Sequence, residues 1–118
     1  MSRTYTPDRW VMVELSSPTE KYRKIFAGWY GGYLDGDSWK LSSTVEQTTE
    51  RDNCYEFLNT SGSTYVCHLG AYGMSGYMMS VFANWESQQN DEMSIRIVDK
   101  IEIGSLGQEP APRAEDGI

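Results

Sequence analysis

Tyr22-Arg-Lys-Ile-Phe-Ala-Gly-Trp-Tyr-Gly-Gly-Tyr-Leu34, followed by Asp35-Gly36 and then Ser38-Trp-Lys-Leu-Ser-Ser-Thr-Val-Glu-Gln47, decides the fold. In the first run apolar side chains occupy both parities, Ile25, Ala27, Trp29 and Tyr33 on one and Phe26 and Tyr30 on the other. Side chains alternate across a strand, so two apolar faces imply burial on both sides or at an interface. Gly28, Gly31 and Gly32 weaken a flat strand and are expected where a sheet bends or where a ring lies over bare backbone. Asp35-Gly36 fits the preferred two-residue hairpin turn, whose central positions take positive φ. Residues 38–47 then alternate, with Trp39, Leu41 and Val45 pointing one way and Lys40, Ser42, Thr44 and Glu46 the other. That is the pattern of a half-buried antiparallel strand.

Working outward, Trp10-Val-Met-Val-Glu-Leu15 is β-rich and is stopped by Ser16-Ser-Pro-Thr19. On the other side, residues 48–53 are polar and predict a turn. Cys54-Tyr-Glu-Phe-Leu-Asn59 and Thr64-Tyr-Val-Cys-His-Leu69 flank Thr60-Ser-Gly-Ser63 as a hairpin. Residues 75–89 read as a helix, because Met74, Tyr77, Met78, Val81, Phe82 and Trp85 fall at helical spacing and Ser75 can cap the start. A strand reading, with Tyr77, Met79, Val81, Ala83 and Trp85 on one face, is the alternative. Residues 93–103 close the fold as a last strand that turns Met93, Ile95, Ile97, Ile101 and Ile103 to the core. The expected class is therefore mainly β, with α+β possible. The architecture is an antiparallel up-and-down meander of about six strands, forming a curled sheet or small half-open barrel, with one helix at about 75–89. A sandwich is the alternative packing.

At 118 residues the chain fits one domain, taken as residues 1–103. Residues 104–118 hold two prolines and few large apolar groups, which predicts a flexible C-terminal tail; the sharper option is a tail docked on a neighbouring subunit. Ten basic against seventeen acidic residues give a net charge of −7, which repels phosphate and argues against nucleic acid and anionic membranes as partners. Lys21, Arg23 and Lys24 form the basic cluster, read as a solvated strand end. No apolar run is long enough for a membrane span. No secretory signal is read at the start, and the two cysteines are too few for a disulfide scaffold, so the expected location is cytoplasmic with reduced thiols.

The chemistry-bearing residues are sparse. With a two- or four-residue loop in the 54–69 hairpin, Cys67 faces Glu56 and Cys54 sits diagonally on the same face; a three-residue loop puts the thiols on opposite faces. His68 is the sole histidine, and a His-assisted cysteine would have to pair it with Cys54. Cys67 and His68 are adjacent and point apart, and no metal-ligand spacing is present, so no metal and no cofactor is expected. Asp35-Gly-Asp37 and Glu50-Arg-Asp52 read as turns, and the glycines of 28–32 lack the Lys-Ser/Thr of a phosphate loop. The reading leans away from an enzyme.

The unusual feature is the aromatic set Trp29, Tyr30, Tyr33 and Trp39, with Met74, Met78 and Met79 beside it. It reads either as core or as an interaction surface, since Trp and Tyr give a large contact area and Met adapts to a partner. The first functional expectation is a non-enzymatic interaction or accessory protein that self-associates into a homo-oligomer through Trp29, Tyr30, Tyr33, Trp39, Met74 and Met78. The second is a small-molecule binding module whose rings line a pocket for an apolar ligand, with Tyr33 or His68 among its polar groups. The third is a thiol- or His-dependent enzyme. Ala27-Gly-Trp-Tyr-Gly-Gly-Tyr-Leu-Asp-Gly-Asp-Ser-Trp-Lys-Leu-Ser-Ser43 and Asn59-Thr-Ser-Gly-Ser-Thr-Tyr65 resemble small uncharacterised β proteins of phage and marine environmental sequence. The resemblance covers the central half of the chain. It implies a viral or accessory role and lends no catalytic or binding residue.

Overall fold

The structure is a computed structural model that describes residues 3–32, 36–99 and 102–103. Tyr33 and the tail 104–118 lie outside the described residues. The elements are β1 (Thr4–Tyr5), β2 (Arg9–Ser16), β3 (Lys21–Gly32), β4 (Gly36–Arg51), β5 (Cys54–Asn59), β6 (Thr64–His68), a 3-10 turn (Leu69–Ala71), α1 (Gly76–Glu86) and β7 (Ser94–Ile97). Among the described residues they make a mainly β fold, one curled open sheet of seven strands in the order β1-β6-β5-β4-β3-β2-β7, with α1 packed on it.

From β2 to β6 the strands form the expected antiparallel meander, but the ends depart from it. β1 runs parallel to β6, and β7 returns to pair with β2 at the opposite edge. Only residues 6–8 connect β1 at one edge to β2 near the other, which holds the sheet in its curl. Two contacts secure that crossing: Asp8 N donates to Gly28 O at 2.9 Å, and Gly73 N donates to Trp10 O at 2.8 Å. The free edge of β2 is thus covered by Tyr72 at its start and by β7 at its end.

The curl separates two cores. Trp10, Met12, Ile25 and Ala27 face inward against Tyr55, Phe57, Tyr65 and Cys67. Val11, Val13 and Phe26 face outward and are covered by Met78 and Phe82 of α1 and by Ile95. β2 is buried on both faces, which is why Trp10-Val-Met-Val13 is apolar without alternation. The two-faced reading of β3 holds for the same reason, with Ile25 and Ala27 inside and Phe26 under the helix. The bare backbone of Gly28 is overlain by a thioether, not by a ring. A Cβ there would stand 2.9 Å from Met78 Cγ and closer still to its Sδ.

α1 begins where its cap predicts, with Ser75 Oγ accepting from Met78 N at 3.2 Å. It ends at Glu86, three residues short of the expected limit. Several strand details differ from expectation. Gly36 pairs with Gly32 and so belongs to a strand, not to the centre of a turn. β4 does not stop at 47 but runs to Arg51, and the turn is Asp52-Asn53 alone, with φ of 48° and 65°. Those positive values suit the paired turn geometry that Asn and Asp tolerate. Lys24 and Phe26 pair with Thr44 and Leu41, so β4 carries one extra residue there. This bulge reverses parity, placing Leu41 outside and Val45 inside, so the even alternation of 38–47 fails at Ser42-Ser43. Ser42 Oγ fills the gap by accepting from Ile25 N at 2.8 Å. The 93–103 strand is also shorter than expected. β7 ends at Ile97, after which Val98 N donates to Met12 O at 2.8 Å and both Val98 and Ile103 are buried in the inner core.

Candidate functional site

α1 is too short to cover the outer face of the sheet, and a groove of about 270 Å³ opens where it ends. Leu15, Leu41 and Ile95 form its floor, Trp85 and Met93 its walls, and Gln88, Gln89 and Ser94 its polar margin. The floor follows from register. Leu15 is opposite both Tyr22 and Ile95, on the parity that Val11 and Val13 use to meet the helix. Trp85 comes from the last turn of α1, its ring 4.8 Å from Phe26 and 5.4 Å from Trp39, nearly perpendicular to the latter. Gln89 is held in place: its Oε1 accepts from Ile95 N at 2.9 Å and its Nε2 donates to Glu86 O at 3.2 Å. The result is a preformed apolar recess with a polar lip, sized for a ring or a short branched alkyl group.

Of the six residues singled out from sequence, the five that are described do not gather into one surface. Trp29 faces inward, its ring 6.3 Å from Tyr5 and its Nε1 donating to Thr6 O at 3.1 Å. Trp39 pairs with Gly28 and Trp29 with Ser38, so the two indoles lie on opposite faces. Trp39 is 37% exposed against the groove wall, and Tyr30 is 54% exposed. Met78, on the sheet-facing side of α1, is wholly buried, and Met74 packs half-buried in the same cluster. Tyr33 lies outside the described residues, and His68 does not line the groove. Sequence reasoning missed Leu15, Leu41, Trp85, Met93 and Ile95 as a set. The available signal was the polar exit Ser87-Gln-Gln-Asn90 directly after Trp85, which marks where the helix stops covering apolar sheet.

A second cluster lies on the β5–β6 hairpin. Its loop has three residues, 60–62, with Gly62 at φ 91°, so Cys67 faces Tyr55 and not Glu56. The two thiols therefore point to opposite faces and cannot pair. Cys67 is fully buried, and burial pushes its thiol up. Cys54 is half-buried and stands opposite His68, with Sγ 3.1 Å from Nδ1. On the inner face Arg23, Glu14 and Arg96 line up across β3, β2 and β7, at 3.0 and 2.9 Å, and Glu102 bridges both arginines at 2.7 and 3.1 Å. Burial alone would raise the Glu14 carboxyl, but the bonds from Arg23 and Arg96 outweigh it and hold it below the usual carboxylate range. Arg23 is thus consumed by this network and does not form a free basic patch. Burial pushes the phenols of Tyr65 and Tyr72 up to about 12.

Among the described residues no three His, Cys, Asp or Glu side chains gather as a metal would require. No helix among them is long and apolar enough to cross a membrane. No family model, curated protein or solved structure matches the chain.

Proposed function

We propose that the protein is a non-enzymatic binding module and that the groove beside α1 is its ligand site, taking a small apolar group. The observation that carries this reading is a recess of about 270 Å³ with a Leu, Ile, Trp and Met lining and an amide margin. Apolar walls supply affinity by desolvation, and a few fixed polar groups orient the bound molecule. Single-ring and short-alkyl fragments, titrated while amide and indole N–H shifts are followed, test it. Binding is expected to move the resonances of Gln88, Gln89, Ser94 and Ile95 and the Trp85 indole together. Met93→Lys, at a rim position 41% exposed, is expected to abolish those shifts while leaving the fold intact. Scattered shifts, or none at millimolar fragment, would remove the reading.

Self-association remains a second reading on the same face, because Tyr22, Trp39 and Met93 are exposed around the groove. Its occupant would be a second copy in place of a small molecule. It predicts a dimer or larger by light scattering at tens of micromolar, reduced to a monomer by Trp39→Lys. A wild-type monomer under those conditions leaves only the ligand reading. A viral or accessory role and a cytoplasmic location fit either reading.

A further inference from the structure

The Cys54–His68 pair owes its closeness to the ladder itself. Leu69 N donates to Asn53 O at 2.9 Å, which makes Cys54 and His68 a non-hydrogen-bonded antiparallel pair, the kind whose side chains approach most closely. Both residues are held from behind. Cys54 follows directly on the tight Asp52-Asn53 turn, and the His68 carbonyl accepts from the core Trp10 Nε1 at 2.7 Å. The sulfur and the ring nitrogen are therefore held at 3.1 Å by backbone constraints, with the imidazole exposed and the thiol half-buried. A thiol beside an imidazole base, held in place and reachable from solvent, is the arrangement that generates a nucleophilic thiolate. Cys67 offers the internal contrast of an inaccessible thiol in the same hairpin.

We propose that Cys54 is a covalent modification site that reacts with small disulfides, His68 acting as its base. The Cys54 proton passes to His68 Nδ1, and the thiolate attacks one sulfur of the disulfide R–S–S–R. A Cys54–S–S–R bond forms as the S–S bond breaks, and R–S⁻ leaves, taking up a proton to become R–SH. Cys54 is oxidised and the small disulfide is reduced to one thiol. Cys67 points to the other face and cannot resolve the product, so the mixed disulfide persists until an external thiol removes it. By register, the charged neighbours of the pair among the described residues are Arg51, opposite Cys54 on β4, and Glu56, two residues along β5, with Asp52 two residues before Cys54 in the chain. Arg51 and Glu56 pair with each other at 3.5 Å.

The test treats the folded, reduced full chain with an aromatic disulfide that releases a coloured thiolate, and maps the modified residue by mass spectrometry. One thiol, Cys54, is expected to react without denaturant, and Cys67→Ser should react at the wild-type rate. His68→Gln should slow the reaction about tenfold near neutral pH and move its pH profile up to that of an isolated thiol. The exposed position of His68 lets this variant fold, and circular dichroism verifies it. Overlapping wild-type and His68→Gln profiles, labelling at Cys67, or no labelling without denaturant would each overturn the proposal.

Discussion

Gly28 illustrates how one missing side chain fixes the approach of a whole helix. Its partner across the ladder is Trp39, and the volume a Cβ would fill is taken by Met78, which is entirely buried. Met is flexible, but here its thioether lies between β3 and α1 and its own backbone is fixed by the Ser75 cap. Gly28→Ala is therefore expected to lower stability by about 1–2 kcal/mol, through overpacking. In a Met78→Ala background the same change should cost at least about 0.5 kcal/mol less, because the obstructing atoms are gone. Urea denaturation of the four proteins measures this directly. Identical costs in both backgrounds would show that the close approach is not what requires glycine at 28.

Three neighbouring strands meet at Glu14, whose carboxylate ties β3 to β7 through Arg23 and Arg96. Glu14 has its folded pKa below the ordinary 4.5, so its contribution is present above that value and is lost as pH falls through the lower folded one. The Glu102 carboxyl is lowered too, by the bond from Arg96 first, and so titrates in the same sense. The urea midpoint is expected to stay flat from neutral pH to about 5 and to fall steeply below about 4.5. Glu14→Gln should lower stability at pH 7 by roughly 1–3 kcal/mol, since it removes the buried carboxylate and leaves Arg23 and Arg96 to Glu102, and should flatten the acid limb. A Gln variant with the wild-type acid limb would place the titrating group elsewhere. None of this network was visible in the sequence, because it depends on β7 returning beside β2, a pairing that no local signal encodes. What was visible was local: the apolar run of β2, the two parities of β3, and the capped periodicity of α1. The β4 bulge escaped for a physical reason. Ser42 satisfies the extra residue's geometry through one hydroxyl bond to Ile25 N, and serine looks like an ordinary solvent-face residue in an alternating strand. The groove escaped because its lining comes from β2, β4, α1 and β7, which are brought together only by the curl. The Cys54–His68 pair was legible only as an alternative, since it turns on whether the hairpin loop holds two, three or four residues.

At the scale of the whole molecule, an open curled sheet leaves its concave side needing cover, and the chain supplies it from both ends. Tyr5 stacks on Tyr65 at 4.9 Å from the N-terminal side. Trp10 meets Tyr55, Phe57 and Tyr72 with ring centres 4.7 to 6.2 Å apart, and so fastens β2 to the far half of the sheet. From the C-terminal side, Val98, bonded to β2 through Met12 O, and Ile103 fill the same inner core. Val98 and Ile103 have no exposed surface, and Tyr72 Oη donates to the Val98 carbonyl. This explains why the alternation of isoleucines over residues 93–103 was misleading. Ile95 and Ile97 face the helix side, whereas Ile103 reaches the opposite core after the strand has ended. A surface strand end and an inserted plug make opposite predictions for one substitution. Ile103→Ala is expected to destabilise the protein by about 2–4 kcal/mol, as deletion of a fully buried aliphatic side chain does, whereas a solvent-facing position would change stability by less than about 0.5 kcal/mol. Thermal or urea unfolding, with Met93→Ala as the exposed comparison, decides between them. A small effect at 103 would mean that the concave face is filled by something other than its own C-terminal segment.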